Sequence, residues 1–151
     1  MPSPNKKLHL SAYITVKGAA DAIAFYAAAF GAVENYRLED PDSGRIGHSE
    51  ISIGTNIVMI SDEYPDFGAV SPDTLGGTPV KLHLYVEDVD AVFAQATKAG
   101  ATELRPLKDE FHGDRTGTLM DPFGHIWMLA SRVEEVTPAQ MQKRWQEMMG
   151  G

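Results

Sequence analysis

One pattern occurs twice in this chain, and it restricts the fold more than any other feature. The stretch from Asp21 to Ala32 aligns without a gap to the stretch from Asp90 to Ala101, about seventy residues further on. Both read as helices that end in Gly-Ala. Each follows an alternating segment, Leu10 to Val16 in one case and Leu82 to Val86 in the other, and each precedes strand-like sequence. A repeat of this period means that one supersecondary unit was used twice. Two such units side by side make a concave sheet surface, and function is expected in that concavity.

The chain is long enough for the pattern to be a whole fold. Its 151 residues are 43% hydrophobic and 23% charged, which suits one well-buried domain or two small modules sharing a core. The absence of cysteine excludes disulfides, thiolate metal sites and cysteine nucleophiles. No apolar run approaches the roughly 20 residues of a membrane span. The polar start, Met1 to Lys7, leads into no apolar signal core, so a cytoplasmic protein is expected, with no membrane partner. A net charge of −8 argues against a nucleic-acid partner, which would need clustered Lys and Arg. It fits simple solubility and also suits a cationic ligand.

The expected organisation is a tail over 1–7, a first module over 8–61, a linker over 62–79, a second module over 80–131 and a terminal helix within 132–151. In the first strand, from Leu8 to Val16, Leu8, Leu10, Ala12, Ile14 and Val16 alternate with polar residues. A helix from Ala19 to Phe30 closes on Gly31. Strands follow at Val33 to Leu38, Arg45 to Ile53 and Ile57 to Ser61. The Pro- and Gly-rich stretch after Asp62 reads as linker. The second unit runs from a strand at Val80 to Val86 through a helix at Asp88 to Ala99. Its remaining strands are Thr102 to Leu107, Arg115 to Met120 and Ile126 to Ala130. Thr137 to Met148 reads as a helix with a stripe of Met141, Trp145 and Met148. Each half is therefore β-α-β-β-β, an α+β arrangement.

Ala22-Ile23-Ala24-Phe25-Tyr26 with Phe30-Gly31-Ala32, then Val86-Glu87-Asp88-Val89-Asp90 with Ala99-Gly100-Ala101, and finally Asp121-Pro122-Phe123-Gly124-His125-Ile126-Trp127 come in an order that resembles the vicinal oxygen chelate superfamily. That superfamily includes glyoxalase I, bleomycin resistance proteins, fosfomycin-modifying enzymes and extradiol dioxygenases. A bacterial branch named for a phosphonate-operon protein is more similar still, through His48 to Gly54, Gly113-Asp114-Arg115 and Gly124-His125-Ile126-Trp127. The resemblance implies two βαβββ modules whose sheets form an incomplete barrel around a cavity. It also implies that modules pair across a homodimer. Metal-dependent members carry one ligand on the first and one on the fourth strand of each module, which here are Ser11, Met59, Lys81 and Met128. Two thioethers and a cation are poor ligands for the metals concerned, so no metal and no cofactor is expected at these positions.

Strand alternation still defines an inward face. It carries Tyr13, His48, Glu50, Lys81, His83 and Tyr85, which we take as the candidate ligand-binding residues. Plainer readings stand beside this one: His48 and His83 as half-exposed strand residues, Glu50 as a surface charge or a partner of Lys81, Met59 and Met128 as core filler. Arg115 suits a loop anchor or an anion contact, and Trp127 a core position under a helix. Three functions remain open: a small-molecule-binding protein that sequesters a drug or metabolite, a metal-dependent lyase, isomerase or transferase using His48, Glu50 and His83, and a structural or regulatory dimer without a ligand. Whether the protein is an enzyme stays open too. Gly-x-Ser-x-Gly, the P-loop and the dinucleotide fingerprint are absent.

Overall fold

The structure is a computed structural model and describes residues 8–150. The tail expected over 1–7 lies outside the described residues. The first unit comprises β1 (Ala12–Val16), α1 (Ala19–Phe30), β2 (Val33–Glu39), β3 (Ile46–Ile53) and β4 (Asn56–Asp62). After a short helix, α2 (Pro72–Leu75), the second repeats the series as β5 (Lys81–Tyr85), α3 (Val89–Ala99), β6 (Thr102–Asp109), β7 (Asp114–Met120) and β8 (Ile126–Arg132). The chain then enters α4 (Pro138–Gly150). The two sheets have the same topology, β1-β4-β3-β2 and β5-β8-β7-β6, each with one parallel pair at β1–β4 or β5–β8. They do not close into a barrel, and the duplication seen in the sequence is a duplication of topology.

Each helix packs on one face of its sheet, and α1 also packs against α3. The helix-side residues of both sheets form a single core that includes Ile14, Val16, Ile51 and Ile60 of the first unit and Leu119, Trp127 and Leu129 of the second. Burying a side chain of this size contributes about 1.5–3 kcal/mol. Trp127 lies under the first unit's helix, its ring 4.6 Å from Phe30 and 5.4 Å from Tyr26. Because both sheets turn their helix sides to this shared core, each turns its other face to solvent.

The helix starts are held by the strands that follow. Asp62 Oδ1 accepts from Gly18 N and Ala19 N at 2.9 and 2.8 Å, and its Oδ2 accepts from Ile46 N at 2.7 Å. At the corresponding place in the second unit, Ser131 Oγ accepts from Val89 N at 2.9 Å, while Asp88 caps α3 from its own side chain. Gly31, at φ +70°, ends α1 as expected.

Two expectations need correction. The first strand begins at Ala12, and Leu8 and Leu10 are fully exposed, because nothing in the described chain lies alongside them. Ile46 is buried although alternation put it on the face of His48, because the β2–β3 register shifts between Leu38 and Glu39. The linker is structured: Tyr64 bridges Ala69, and Glu63 Oε2 accepts from Ser71 N and Thr74 Oγ1 at 2.7 and 2.6 Å.

Candidate functional site

The register of the first sheet sets Tyr13 beside Met59, Met59 beside Glu50, and Glu50 beside Tyr36, a row across all four strands. His48, one step along β3, stands between the two tyrosines. Tyr13 Oη is 2.8 Å from His48 Nδ1, and Tyr36 Oη is 3.0 Å from His48 Nε2. A neutral imidazole donates from one nitrogen and accepts at the other. With the ring neutral, one tyrosine hydroxyl donates a hydrogen bond to it while the other accepts one from it. The tyrosine that accepts keeps its own O–H free for a ligand acceptor.

Glu50 is held in the same face by Asn35, whose Nδ2 donates to Glu50 Oε2 at 3.0 Å and to Ser52 Oγ at 2.8 Å. Glu50 pairs with no cation among the described residues, so the plainer reading of it as a partner of Lys81 does not hold within one chain. Tyr13 and Tyr36 remain 53% and 44% exposed, which leaves their rings free to stack. A cavity of about 620 Å³ opens beside Tyr13 and Thr15, walled by Tyr64 and Phe67 of the linker.

The second sheet carries the corresponding row His83, Met128, Thr118 and Arg105, with Tyr85, Ala130, Thr116 and Lys108 in the row beside it. The His83 and Tyr85 rings are 4.7 Å apart. The Tyr85 hydroxyl donates to Asp114 Oδ2, and Arg132 Nε donates to Asp114 Oδ1 at 2.6 Å. Burial works to raise the Asp114 pKa, but the hydrogen bonds from Tyr85 and Arg132 outweigh it and hold it below the ordinary carboxylate range. Lys81 lines a cavity of about 640 Å³ over this face with Met128 and Thr118.

The six candidate residues thus fall into two sets, and within one chain they do not share one cavity as alternation led us to expect. Tyr13, His48 and Glu50 lie on the first open face; Lys81, His83 and Tyr85 lie on the second. The shared core between the two helix sides separates them. Tyr36 and Asn35 escaped notice because the register shift between Glu34 and Tyr36 breaks the alternation of β2. Arg105 and Lys108 escaped it because another irregularity, around Pro106, brings both to one face. The Arg115 guanidinium is a structural anchor, bound to Asp90 and Asp109 at 3.0 and 3.2 Å.

The register sets residues other than Ser11 and Lys81 beside the two methionines. Tyr13 stands beside Met59 and His83 beside Met128, each two residues past Ser11 and Lys81. None of the pairings suits a metal. Both nitrogens of His48 are engaged by hydroxyls, and among the described residues no three His, Cys, Asp or Glu side chains group as a metal would require. His48 and Glu50 are on one sheet and His83 is on the other.

The chain matches the glyoxalase/bleomycin resistance protein/dioxygenase superfamily over residues 8–129. An uncharacterised protein of Mycobacterium bovis is 45% identical over 136 residues, which cover 88% of this chain and 89% of that protein. The crystal structure of TioX from Micromonospora sp. ML1 superposes with a TM-score of 0.66 at 27% identity, covering 84% of this chain and all of that one. A PhnB protein from Bacillus cereus has the same fold, with a TM-score of 0.65 at 18% identity over 82% of this chain and 99% of that one.

Proposed function

The chain belongs to the glyoxalase/bleomycin resistance protein/dioxygenase superfamily, and from that premise we propose that it is a cytoplasmic, homodimeric small-molecule-binding protein that works without the superfamily's usual metal site. Its role is to sequester a drug or metabolite, which for a toxic drug amounts to resistance. Within the superfamily we assign it to the phosphonate-operon branch, on His48 to Gly54, Gly113-Asp114-Arg115 and Gly124 to Trp127.

One observation carries the reading. The open faces are exposed, yet their polar side chains are already ordered: His48 between Tyr13 and Tyr36, Glu50 on Asn35, Tyr85 on Asp114. Exposed polar groups gain little stability from such order, while a ligand gains from meeting groups that need not be fixed on binding. In the dimer the first open face of one copy meets the second open face of its partner, and the pocket lies between them. Tyr13, His48, Glu50, Lys81, His83 and Tyr85 then line one site. Glu50 takes a donor or cationic group of the ligand.

The test is native mass spectrometry of protein purified gently from its own host, with metal analysis of the same sample. We expect a dimer that releases one small organic molecule per site on denaturation. Stoichiometric metal lost on changing His48, Glu50 or His83 would favour the metal-dependent enzyme instead. A dimer that holds no molecule, and that no extract fraction protects against heat, would favour the ligand-free role, since only what binds the native state stabilises it by mass action.

A further inference from the structure

Five of the six arginines in this chain have an evident partner. Arg37 holds Glu34, Arg115 holds Asp90 and Asp109, Arg132 holds Asp114, and Arg144 holds Glu134. Arg45 lies over the Tyr64 ring at 4.3 Å. Arg105 differs: among the described residues it makes no salt bridge, and neither do Lys108 and Lys81. These three cations line one cavity, over the open face of the second sheet. The chain has 21 Asp and Glu against 13 Lys and Arg, so carboxylates are plentiful. The cavity holds a single one, Glu110, and His112 lines it as well. Gathering three like charges around one carboxylate does nothing for folding, but it creates a local positive potential in an acidic molecule.

The floor of the cavity suits the same purpose. β6 is an edge strand, which is why it tolerates Pro106, and its irregular register places Arg105 opposite Thr118 and Lys108 opposite Thr116. Two cationic side chains therefore stand over two hydroxyl donors. Arginine offers a planar pair of N–H donors to a carboxylate or phosphate, and lysine a point charge. Met128 and Ile126 lie between Arg105 and Lys108 on one edge and Lys81 on the far edge, an apolar bed for the body of a ligand.

We propose that the ligand of this protein bears an acidic group, a carboxylate or a phosphate, which binds Arg105 and Lys108 over Thr116 and Thr118 with Lys81 facing it across the cavity. The proposal rests on the reading of the open faces as ligand-binding surfaces, but it needs only the second sheet of a single chain. Together with Glu50 it describes a ligand that is acidic at one end and a donor or cation at the other.

The test titrates isotope-labelled full-length protein with inorganic phosphate and, separately, with benzoate, at an ionic strength held constant with chloride. Saturable shifts of the Arg105, Lys108, Thr116 and Thr118 amides are expected with at least one of the two, and the tighter one identifies the kind of acid. The double variant Arg105→Gln/Lys108→Gln should weaken that binding by at least about tenfold, whereas Lys98→Gln on α3 should leave it unchanged. A thermal melt of each variant checks that it is folded. No saturable shift with either anion, equal shifts around Lys17 and Lys143, or unchanged binding by the folded double variant would overturn the proposal. Sedimentation of the same samples separates the two readings. Saturable binding by a monomer defeats the shared pocket and keeps the anion site; a dimer blind to both anions does the reverse.

Discussion

Four hydrogen bonds end on the Asp121 carboxylate, and one of them joins the two units. Its Oδ2 accepts from Tyr26 Oη at 2.5 Å and from Trp127 Nε1 at 2.9 Å, and its Oδ1 accepts from Phe123 N and His125 N at 2.9 and 3.0 Å. Tyr26 belongs to α1, so a residue of the first unit satisfies a buried carboxylate of the second. Burial, and after it the Asp121 charge, raise the Tyr26 pKa well above that of a free phenol, so this hydroxyl stays a donor. Tyr26→Phe removes one donor and leaves the buried carboxylate short of a partner. It should cost about 1–3 kcal/mol in a denaturant melt. The same residue scale governs the ligand. If the group that meets Glu50 is cationic, Glu50→Gln should weaken binding by about 1–3 kcal/mol in calorimetry, because a charge-assisted contact becomes a neutral one. The melting temperature should barely move, since Glu50 is only half-buried and keeps its shape. An affinity indifferent to the change would remove Glu50 from the site.

At the scale of elements, the turn between β6 and β7 depends on Gly113. Its φ is +100°, and a Cβ there would come within 2.2 Å of the Glu134 carbonyl oxygen. The Gly113 carbonyl in turn accepts from Val133 N and Glu134 N at 2.9 and 3.0 Å. Gly113→Ala should therefore destabilise by at least about 1–3 kcal/mol, measured by chemical denaturation, because the backbone must leave both the contact and the left-handed region. The linker has a pH limit of its own. Hydrogen bonds from Thr74 and Ser71 lower the Glu63 pKa from 4.5 to about 2. A carboxyl with a depressed folded-state pKa stabilises above its unfolded value and loses that contribution as pH falls through the folded one. The hold on α2 should be intact at neutral pH, weaken below 4.5 and vanish near 2. Limited proteolysis by an acid-active protease should find the linker increasingly open over that window, and Glu63→Gln should make cleavage independent of pH. The β-α-β-β-β order of both units was legible because helices and strands impress different periods on the chain, and because a repeat shows through both. Alternation failed wherever a strand is irregular. It misplaced Ile46, missed Tyr36 and Asn35 in β2, and hid Arg105 and Lys108 beyond Pro106. It also extended β1 back to Leu8, since a period records which face a residue would take and not whether a neighbouring strand exists to pair with it.

At the scale of the whole molecule, the face on which each residue lies was legible, but the direction in which that face looks was not. The phase of β1, β3 and β5 put Tyr13, His48, Glu50 and His83 opposite the helices, and they are there. Their separation onto two surfaces follows from the packing of α1 on α3, a contact between units that no strand pattern records. Such a chain leaves much apolar surface uncovered. Leu38 and Val33 on the first sheet are 60% and 63% exposed. On α4, Trp145 and Met148 are 45% and 52% exposed, although Trp145 packs on Phe111 and Met148 reaches the second cavity. These patches border the two open faces, and the faces are complementary, since Glu50 is the acid of one while Lys81, Arg105 and Lys108 are the cations of the other. A symmetric dimer that lays one face on the other satisfies both at once, and the two-fold axis repeats the contact to give two equal pockets. A specific interface buries about 1,600 Å² in total, which two sheet faces and a helix supply readily. We expect sedimentation equilibrium to show a dimer at micromolar concentration. Leu38→Glu should shift it to monomer while leaving the circular dichroism unchanged, because that side chain supports no core in its own chain. A wild-type protein that stays monomeric throughout that range would refute the arrangement, and with it the pocket formed between two copies.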